Sequence, residues 1–272
     1  MKSLQADFFK VMKEGAIQYA APLPFLDLVC VGTATQTEVK EQIDLMYSLI
    51  HQQVDAIVLV PIDSKALVQP AVEAVRKGIP VINIDIQLDA QLLEQAGVEV
   101  AFVGPDNFAA AYEVGKLLDK KLRNEDKVAI IEGLAAADNA QQRKRGFIKA
   151  IEEKGLRLVA SEPADWETEK AAEVFQAMWM RYPDLKAVYC SNDAMALGVL
   201  QQMQEKNCYL PVVGFDNDAV MNEFLSTGKL VATADIFSSQ MAVRGIEFAL
   251  DVLEGKIENR GVHSTAYEII KQ

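Results

Sequence analysis

The sequence predicts an α/β fold of two similar lobes, each a doubly wound parallel sheet with helices on both faces. The main observation is an internal repeat: Ala56–Leu67 matches Lys186–Leu197 at an offset of 130 residues, and Ile79–Asp85 matches Leu210–Asp216 at an offset of 131. Strand and helix patterns also alternate along the chain, as they do when crossover helices join parallel strands. A chain of 272 residues, 50% of them hydrophobic, suffices for two cores.

The first predicted element of lobe one is an amphipathic helix that ends near Ala20. It is followed by a strand at 25–31, a helix at 38–52, a strand at 56–60, a helix at 66–77, a strand that ends on Asp85, a strand at 98–103 and a helix at 108–122. Gly104 and Pro105 interrupt the pattern between the last two elements and are a candidate hinge.

The repeat also predicts where the first strand of lobe one falls. Lobe two begins with a strand at 127–133, and an offset of 130 places its counterpart at about −3 to 3, mostly before Met1. We therefore expect the first strand of lobe one to be missing from this chain.

Lobe two continues the same alternation of strands and helices. The predicted elements are a helix at 139–154, a strand at 157–161, a helix at 167–181, a strand at 187–191, a helix at 194–206, a strand at 211–215, a helix at 218–226, a strand at 230–235, a helix at 239–254 and an extended segment at 266–270. Because no low-complexity linker is present, we expect several ordered crossings, a multi-strand hinge, to join the lobes.

Acidic and amide side chains follow the buried strands of both lobes. Asn192 and Asp193 separate a strand from a helix, so one of them is expected to cap the helix. The other lies at the carboxyl end of a strand, where open α/β sheets bind ligands. Asp85 and Asp216 end matching strands of the repeat, which predicts one carboxylate at the binding edge of each lobe. Each could instead be an ordinary turn aspartate.

Composition argues against several functions. The net charge of −12 would repel a nucleic acid backbone, and no apolar run is long enough to span a membrane. The only two histidines, His51 and His263, have no serine or cysteine at a spacing typical of a catalytic pair, and the sequence contains no metal-ligand cluster or nucleotide-binding glycine motif. We therefore predict a protein that is not an enzyme and that needs neither cofactor nor metal. An acid–base pair of Asp85 and Asp216 for glycoside cleavage has no other support.

Five segments, in order, resemble the type I periplasmic binding proteins, in particular the ribose-binding and related sugar-binding components of ABC importers. They are SLQADFF at 3–9, DNAQQRKRGF at 138–147, PADW at 163–166, SNDAMALG at 191–198 and VVGFD at 212–216. The resemblance implies two lobes, 1–104 plus 236–262 and 105–235 plus 263–272, that close on a ligand in the cleft between them by hinge motion. It also implies a monomer that works in the periplasm with a membrane permease, although no export signal occurs in the chain as given.

The resemblance also implies a set of ligand-binding residues. Aromatic residues of this family stack on the sugar ring near the first helix, and hydrogen-bonding or stacking residues come from both lobes. The corresponding positions here are Phe8, Phe9, Asp85, Asn139, Arg143, Trp166, Asn192 and Asp216. This chemistry suits a polyol, since carboxylates and amides engage hydroxyls while aromatic faces cover C–H groups.

Three positions depart from the ribose binders. Ala6 replaces an asparagine, Ile86 an arginine and Ile236 a glutamine, so these residues are candidates for an apolar lining. An unpaired buried hydroxyl costs roughly 1–3 kcal/mol. We therefore expect a ligand other than ribose, with fewer hydroxyls or an apolar edge: a deoxy sugar, a short polyol or a small signalling molecule.

Two other functions share the predicted fold. One is the effector domain of a LacI-type regulator that lacks its DNA-binding headpiece, which the acidity of the chain disfavours. The other is a sensory module read by a receptor kinase or chemoreceptor. Among the alternative functions, we rank an enzyme that acts on a nucleoside or sugar last.

Overall fold

The computed structural model describes residues 1–271, with residue 119 described by its backbone alone. The chain forms two compact units, which are described separately below. The first comprises Met1–Pro105, Ala136–Asp138 and Phe237–Ala266, and the second comprises Asp106–Ala135, Asn139–Ile236 and the chain from Tyr267 onward. Gln272, which the sequence analysis assigned to lobe two, lies outside the described residues.

The first unit is built on a four-stranded parallel sheet. Its strands, numbered in chain order over the whole protein, are β1 (Ile57–Leu59), β2 (Val81–Ile84), β3 (Phe102–Pro105) and β9 (Val262–Thr265), and they lie side by side in that order. Its helices are α1 (Asp7–Ala20), α2 (Val39–His51), α3 (Val68–Arg76), α4 (Ala90–Ala96) and α10 (Ser238–Leu253). All four residues of β2 are buried, as expected for a parallel strand covered by helices on both faces.

The second unit is built on a six-stranded sheet in the order β10-β8-β7-β6-β4-β5. The strands are β4 (Lys127–Glu132), β5 (Arg157–Pro163), β6 (Ala187–Cys190), β7 (Val212–Val213), β8 (Leu230–Asp235) and β10 (Glu268–Lys271). The helices are α5 (Asn107–Gly115), α6 (Asp138–Lys154), α7 (Thr168–Arg181), α8 (Asp193–Glu205) and α9 (Asn222–Ser226), with short 3₁₀ turns at Lys116–Lys120 and Ala219–Met221. Only β10 is antiparallel to its neighbour, β8. The predicted class, two α/β lobes with parallel sheets, is confirmed.

Two elements of the first unit were not predicted. Helix α4 lies in the connection after β2, where Asp89 caps it by accepting a hydrogen bond from the Leu92 amide at 2.9 Å and Gly97 ends it at a φ of 66°. Strand β9 is largely exposed and polar, so it has no periodic apolar signal, and its pairing with β3 is a long-range contact.

Three predicted features differ from the structure. Residues 25–31 belong to no strand, because no neighbouring strand pairs with them in the structure. Gly104 and Pro105 do not interrupt the sheet: they are the last two residues of β3, where they pair with Ser264 and Thr265. The same pairing places residues 263–265 in the first unit, whereas the sequence analysis assigned them to lobe two. Pro105, Ala136–Asp138 and Ala266 were also assigned to lobe two but lie in the first unit, and Ile236, assigned to lobe one, lies in the second.

Candidate ligand-binding site

A buried arginine is the centre of a polar cluster in the second unit. Arg143 of α6 is 2% exposed. Its Nε donates to Asn107 Oδ1 at 2.9 Å, and its Nη1 donates to the Ser191 carbonyl at 2.8 Å and to Asp216 Oδ1 at 3.3 Å. The side chains of Arg143 and Asp216 are 3% and 7% exposed, so their charges are paired away from water. A charge in such a place is tolerated only when its partner and hydrogen bonds are present.

Two aromatic rings flank the same guanidinium group. The Arg143 Cζ lies 3.7 Å from the centroid of the Phe215 ring and 5.5 Å from that of Trp166. The Trp166 ring packs against Gly133 so closely that a Cβ built there would lie 2.1 Å from a ring carbon. Glycine at 133 therefore provides the space that lets Trp166 approach the cluster.

The residues of this cluster come from the carboxyl ends of neighbouring strands. Trp166 follows β5, Ser191 follows β6 and Asp216 follows β7, while Arg143 reaches them from α6, which follows β4. Parallel strands bring their carboxyl ends to one edge of a sheet, which is why residues far apart in sequence meet here.

Matching aspartates in the two units share a rare backbone conformation. Asp85 has a φ of 65° and Asp216 a φ of 112°. The Ile86 amide donates to the Ile84 carbonyl at 2.8 Å, which closes a three-residue turn around Asp85, and the Asp216 amide donates to Ala234 at 2.7 Å. Positive φ is costly for residues other than glycine and concentrates at functional sites.

Asn192 and Asp193 have separate structural roles. Asn192 Oδ1 accepts the Met195 amide at 2.9 Å, so the expected helix cap is Asn192. Asp193 is fully buried and accepts hydrogen bonds from the amides of Phe215 and Asp218 and from the Thr233 hydroxyl, each at about 2.9 Å. Burial, aided by the Asp218 carboxylate, raises the pKa of Asp193 to about 8. The Asn192 side-chain oxygen therefore stabilises the start of α8.

Two buried polar atoms near Arg143 have no hydrogen-bond partner within residues 1–271. They are Oδ1 of Asn139, which is 4% exposed, and Oγ of Ser191, which is fully buried. Asn139 lies one helical turn before Arg143 on α6 and so shares its face. Unsatisfied buried groups are rare, and a bound ligand is one explanation for them.

In the first unit, Asn83 organises the turn that carries Asp85. Its Nδ2 donates to the Ile86 carbonyl at 2.8 Å, and its Oδ1 accepts the Leu88 amide at 2.7 Å. Asp85 is 2% exposed and Ile86 is fully buried, as required of a group that lines a closed site or a core. An asparagine inside an otherwise apolar strand was a signal for this role that the sequence analysis did not use.

The remaining candidates lie at the start of α1 and before α10. Phe9 is buried in the core, and the half-buried Phe8 packs against it edge to face with ring centroids 5.0 Å apart. Ala6 is the N-cap of α1 and Ile236 is fully buried. Phe9 is a core residue, as was expected of one member of this aromatic pair.

Some of the predicted site residues thus contact one another in the structure, and others do not. Arg143 contacts Asp216 and Trp166, whereas Phe8 and Phe9 belong to the first unit and contact each other. Asn107, Ser191 and Phe215 also belong to the cluster, although the sequence analysis did not select them as ligand residues. Among the described residues, no group of three or more His, Cys, Asp or Glu could hold a metal ion, and no helix is long and apolar enough to cross a bilayer.

A two-unit α/β chain with a buried polar and aromatic cluster at its strand ends has the construction of a small-molecule-binding protein. The sequence profile of the periplasmic binding protein domain matches residues 1–257. The chain belongs to the periplasmic binding protein family, of the type I, ribose-binding kind. The predicted family is therefore confirmed, and with it the prediction of a solute-binding protein and not an enzyme.

Curated relatives and solved structures are similar over nearly the whole chain. A D-ribose/D-allose-binding protein of Pseudomonas aeruginosa is 40% identical over an alignment of 276 positions that covers 99% of this chain and 86% of the relative. The ribose import binding protein RbsB of Escherichia coli is 30% identical, with 94% of this chain and 84% of the relative covered. An ABC transporter solute-binding protein of Burkholderia multivorans, solved with an unknown ligand represented as α-D-erythrofuranose, has a TM-score of 0.96 and 38% identity, with 100% and 97% of the chains covered.

Proposed function

We propose that this protein captures a small sugar by hinge closure in the periplasm, as a monomer, and delivers it to the permease of an ABC importer. The Arg143 cluster is the observation that carries the proposal. A guanidinium has five N–H donors, and Nε and Nη1 use three of them on Asn107, Ser191 and Asp216. These three hydrogen bonds engage Nε and Nη1, and we propose that the two N–H groups of Nη2 donate to ligand oxygens.

The groups around this donor complement a sugar. The Asn139 oxygen is an unused acceptor for a hydroxyl, and the Asn192 amide nitrogen is a further donor. The Trp166 ring offers an apolar face to C–H groups. We propose that Asp85 of the first unit and Phe8 at the start of α1 complete the set, while Phe9 supports Phe8 from the core.

The similar proteins and the apolar residues at three positions support the proposed ligand class. The Pseudomonas relative is named for D-ribose and D-allose, and the Burkholderia ligand was represented as a four-carbon sugar. Ile86 directly follows Asp85 and cannot hydrogen-bond a hydroxyl. We propose that Ala6, Ile86 and Ile236 make the site favour a sugar with fewer hydroxyls, such as a tetrose or deoxypentose, over ribose.

A thermal-shift screen tests this proposal. The panel contains D-ribose, D-allose, 2-deoxy-D-ribose, D-erythrose, erythritol and myo-inositol, because a ligand at 100 times its Kd stabilises the folded state by about 2.7 kcal/mol. R143K is compared with R145K, a matched change on the exposed face of the same helix. We expect a shift with a tetrose or deoxypentose that R143K abolishes and R145K retains. Tight ribose binding would contradict the proposed preference, and no shift with any sugar would contradict the function.

A further inference from the structure

The turn that follows strand β7 has an unusual backbone conformation. Residues 215–218, the 215–218 turn, carry Phe215 and Asp216, and both of these side chains contact Arg143. Asp216 and Asn217 have φ values of 112° and 59°, so two successive residues other than glycine have a positive φ. Such residues persist only where the surrounding structure holds them in place. The turn that presents Asp216 to Arg143 therefore needs support from outside itself.

Asp193 supports this turn at both of its ends. The residue begins α8 and is fully buried. Its Oδ1 accepts the Phe215 amide and its Oδ2 accepts the Asp218 amide, each at 2.9 Å. The Asp193 amide also donates to the Phe215 carbonyl at 2.7 Å. One side chain thus connects the first and last residues of the turn, with the two positive-φ residues between them.

Thr233 of β8 extends this support to the middle of the turn. Its hydroxyl donates to Asp193 Oδ1 at 2.9 Å and accepts the Asn217 amide at 3.2 Å. The amide of Asp216 donates to the Ala234 carbonyl of the same strand at 2.7 Å. Three of the four amides of the turn are therefore bound to Asp193, two directly and one through the hydroxyl.

A glycine just before the turn makes room for the carboxyl group. A Cβ built on Gly214 would lie 2.0 Å from Asp193 Oδ1 and 3.2 Å from its Cγ. Any other residue at 214 would therefore push the Asp193 carboxyl away from the turn amides. Glycine allows this close approach because it has no Cβ.

The first unit holds its matching turn in a different way. The repeat aligns Asp63 with Asp193 at an offset of 130 and Asn83 with Gly214 at an offset of 131. Asp63 Oδ1 accepts two amides of its own loop, at 2.8 and 2.9 Å. The turn around Asp85 is organised by the side chain of Asn83. An aspartate that reaches across to the turn is therefore a feature of the second unit and not a general requirement of the fold.

We propose that Asp193 is a positioning residue of the ligand-binding site. It holds the 215–218 turn so that Asp216 stays against Arg143, and it does not itself touch the ligand. Because the role concerns the site described above, the inference rests on the proposed function. A ligand binds more tightly when the groups that contact it are already in place, since ordering them on binding costs affinity. Asp193 thus contributes to affinity through the turn alone.

Hydrogen exchange of the ligand-free protein tests whether Asp193 holds the turn. D193N keeps the size of the side chain but replaces one acceptor oxygen by an N–H donor, while T233V removes the hydroxyl and T233S keeps it. We expect the Phe215 or Asp218 amide in D193N, and the Asn217 amide in T233V, to exchange about tenfold faster, as for the loss of one hydrogen bond. T233S and D63N, the matching change in the first unit, should exchange like the parent chain. Unchanged exchange in D193N would overturn the proposal.

Calorimetric titration tests the effect on the ligand. Each chain is titrated with the sugar that gives the largest thermal shift, at a temperature well below its Tm, so that only folded protein is compared. Residues that orient metal ligands change affinity about 10- to 100-fold when they are replaced, and by the same argument D193N and T233V should weaken sugar binding about tenfold or more. T233S and D63N should bind like the parent chain. Parent affinity in D193N, or an equal loss in D63N, would overturn the positioning role.

The two measurements separate this inference from the proposed function. If the parent chain binds no sugar but the turn amides respond as expected, the proposed function is contradicted, while Asp193 is still supported as the residue that holds Asp216 in place. If the parent chain binds a sugar and D193N binds it equally well, the proposed function stands and the positioning role is wrong.

Discussion

The two units repeat one another in sequence, yet their sheets differ where the chain begins. In the second unit, β4 lies buried between β5 and β6, whereas the first unit has a groove between residues 25–31 and β1. The turns that carry Asp85 and Asp216 nevertheless both have positive φ. The conformation of these turns is therefore specified by the residues around them, while a strand forms only when its hydrogen-bonding neighbour is present.

The two aspartates also differ in their surroundings. Asp216 is paired with a buried arginine that is flanked by two aromatic rings. Asp85 is held in a turn built by Asn83 and is followed by the fully buried Ile86. Asp216 therefore lies in charged, donor-rich surroundings, whereas Asp85 lies beside an apolar residue.

The largest expected effect comes from removing the arginine of the second unit. R143A removes the charge partner of the buried Asp216 carboxylate, and loss of one member of a buried ion pair costs about 3–5 kcal/mol of unfolding free energy. Sugar binding should be lost as well. Urea unfolding and calorimetry measure both, with R145A on the exposed face of α6 as the control. Unchanged stability in R143A would show that the buried pair does not support the fold.

A smaller loss of unfolding free energy is expected when the space under Trp166 is filled. The added methyl of G133A would overlap the ring, so Trp166 must move away from Arg143, at a cost of about 1–3 kcal/mol. Near-ultraviolet circular dichroism follows the ring, and urea unfolding gives the stability. G255A is the control, because nothing lies within 4 Å of a Cβ there, although its φ of 71° adds strain. Equal near-ultraviolet spectra for G133A and the parent would contradict the packing argument.

Neutralising the two aspartates separately should give unequal stabilities. D216N removes the charge partner of Arg143 and is expected to lower the unfolding free energy by about 1–2 kcal/mol. A hydrogen bond to a charged group is worth about 1.5–3 kcal/mol, and the asparagine oxygen retains part of that contribution. D85N keeps the turn, which depends on Asn83, and should cost less. Urea unfolding of both variants checks this, and a larger loss in D85N would reverse the assigned roles.

The smallest effect expected is the contribution of Asp193 to the pH dependence of stability. Asp193 binds its proton more tightly in the folded chain than in the unfolded one, because its folded pKa is about 8. The folded state then holds more protons at this group, so its contribution to stability falls by about 1 kcal/mol between pH 7 and pH 8. The Met1 amino group, whose pKa burial lowers to about 6, contributes with the opposite sign over the same range. Relative to the parent chain, D193N should therefore make stability rise more steeply with pH in urea unfolding, by about 1 kcal/mol between pH 7 and pH 8. D63N, at the equivalent position of the first unit, is the control and should retain the parent slope; a slope in D193N equal to that of the parent would contradict the assignment.

The sequence predicted the fold well because the repeat and the strand–helix alternation are local patterns. It missed β9, whose polar residues form a strand only by pairing with a distant β3. It also predicted a strand at 25–31 from a run of apolar residues, although that run has no partner in the structure. Residue type alone does not show whether a segment has a neighbouring strand to pair with.

The candidate site was predictable only in part. The aspartates at 85 and 216 follow from strand ends that match in the repeat, but the pairing of Arg143 with Asp216 spans 73 residues and has no local signal. Arg143 was distinguished from its basic neighbours by the family resemblance alone. Asn107 and Phe215 contact Arg143 through tertiary packing, which no spacing rule describes.

Isothermal titration of the parent chain, D85N and D216N with the sugar that gives the largest thermal shift tests the central claim most directly. If Asp85 and Asp216 both bind the ligand, each substitution should weaken affinity at least about tenfold, which corresponds to about 1.4 kcal/mol. If D85N binds as tightly as the parent chain, Asp85 does not bind the sugar, and the proposal that both carboxylates are ligand residues is wrong.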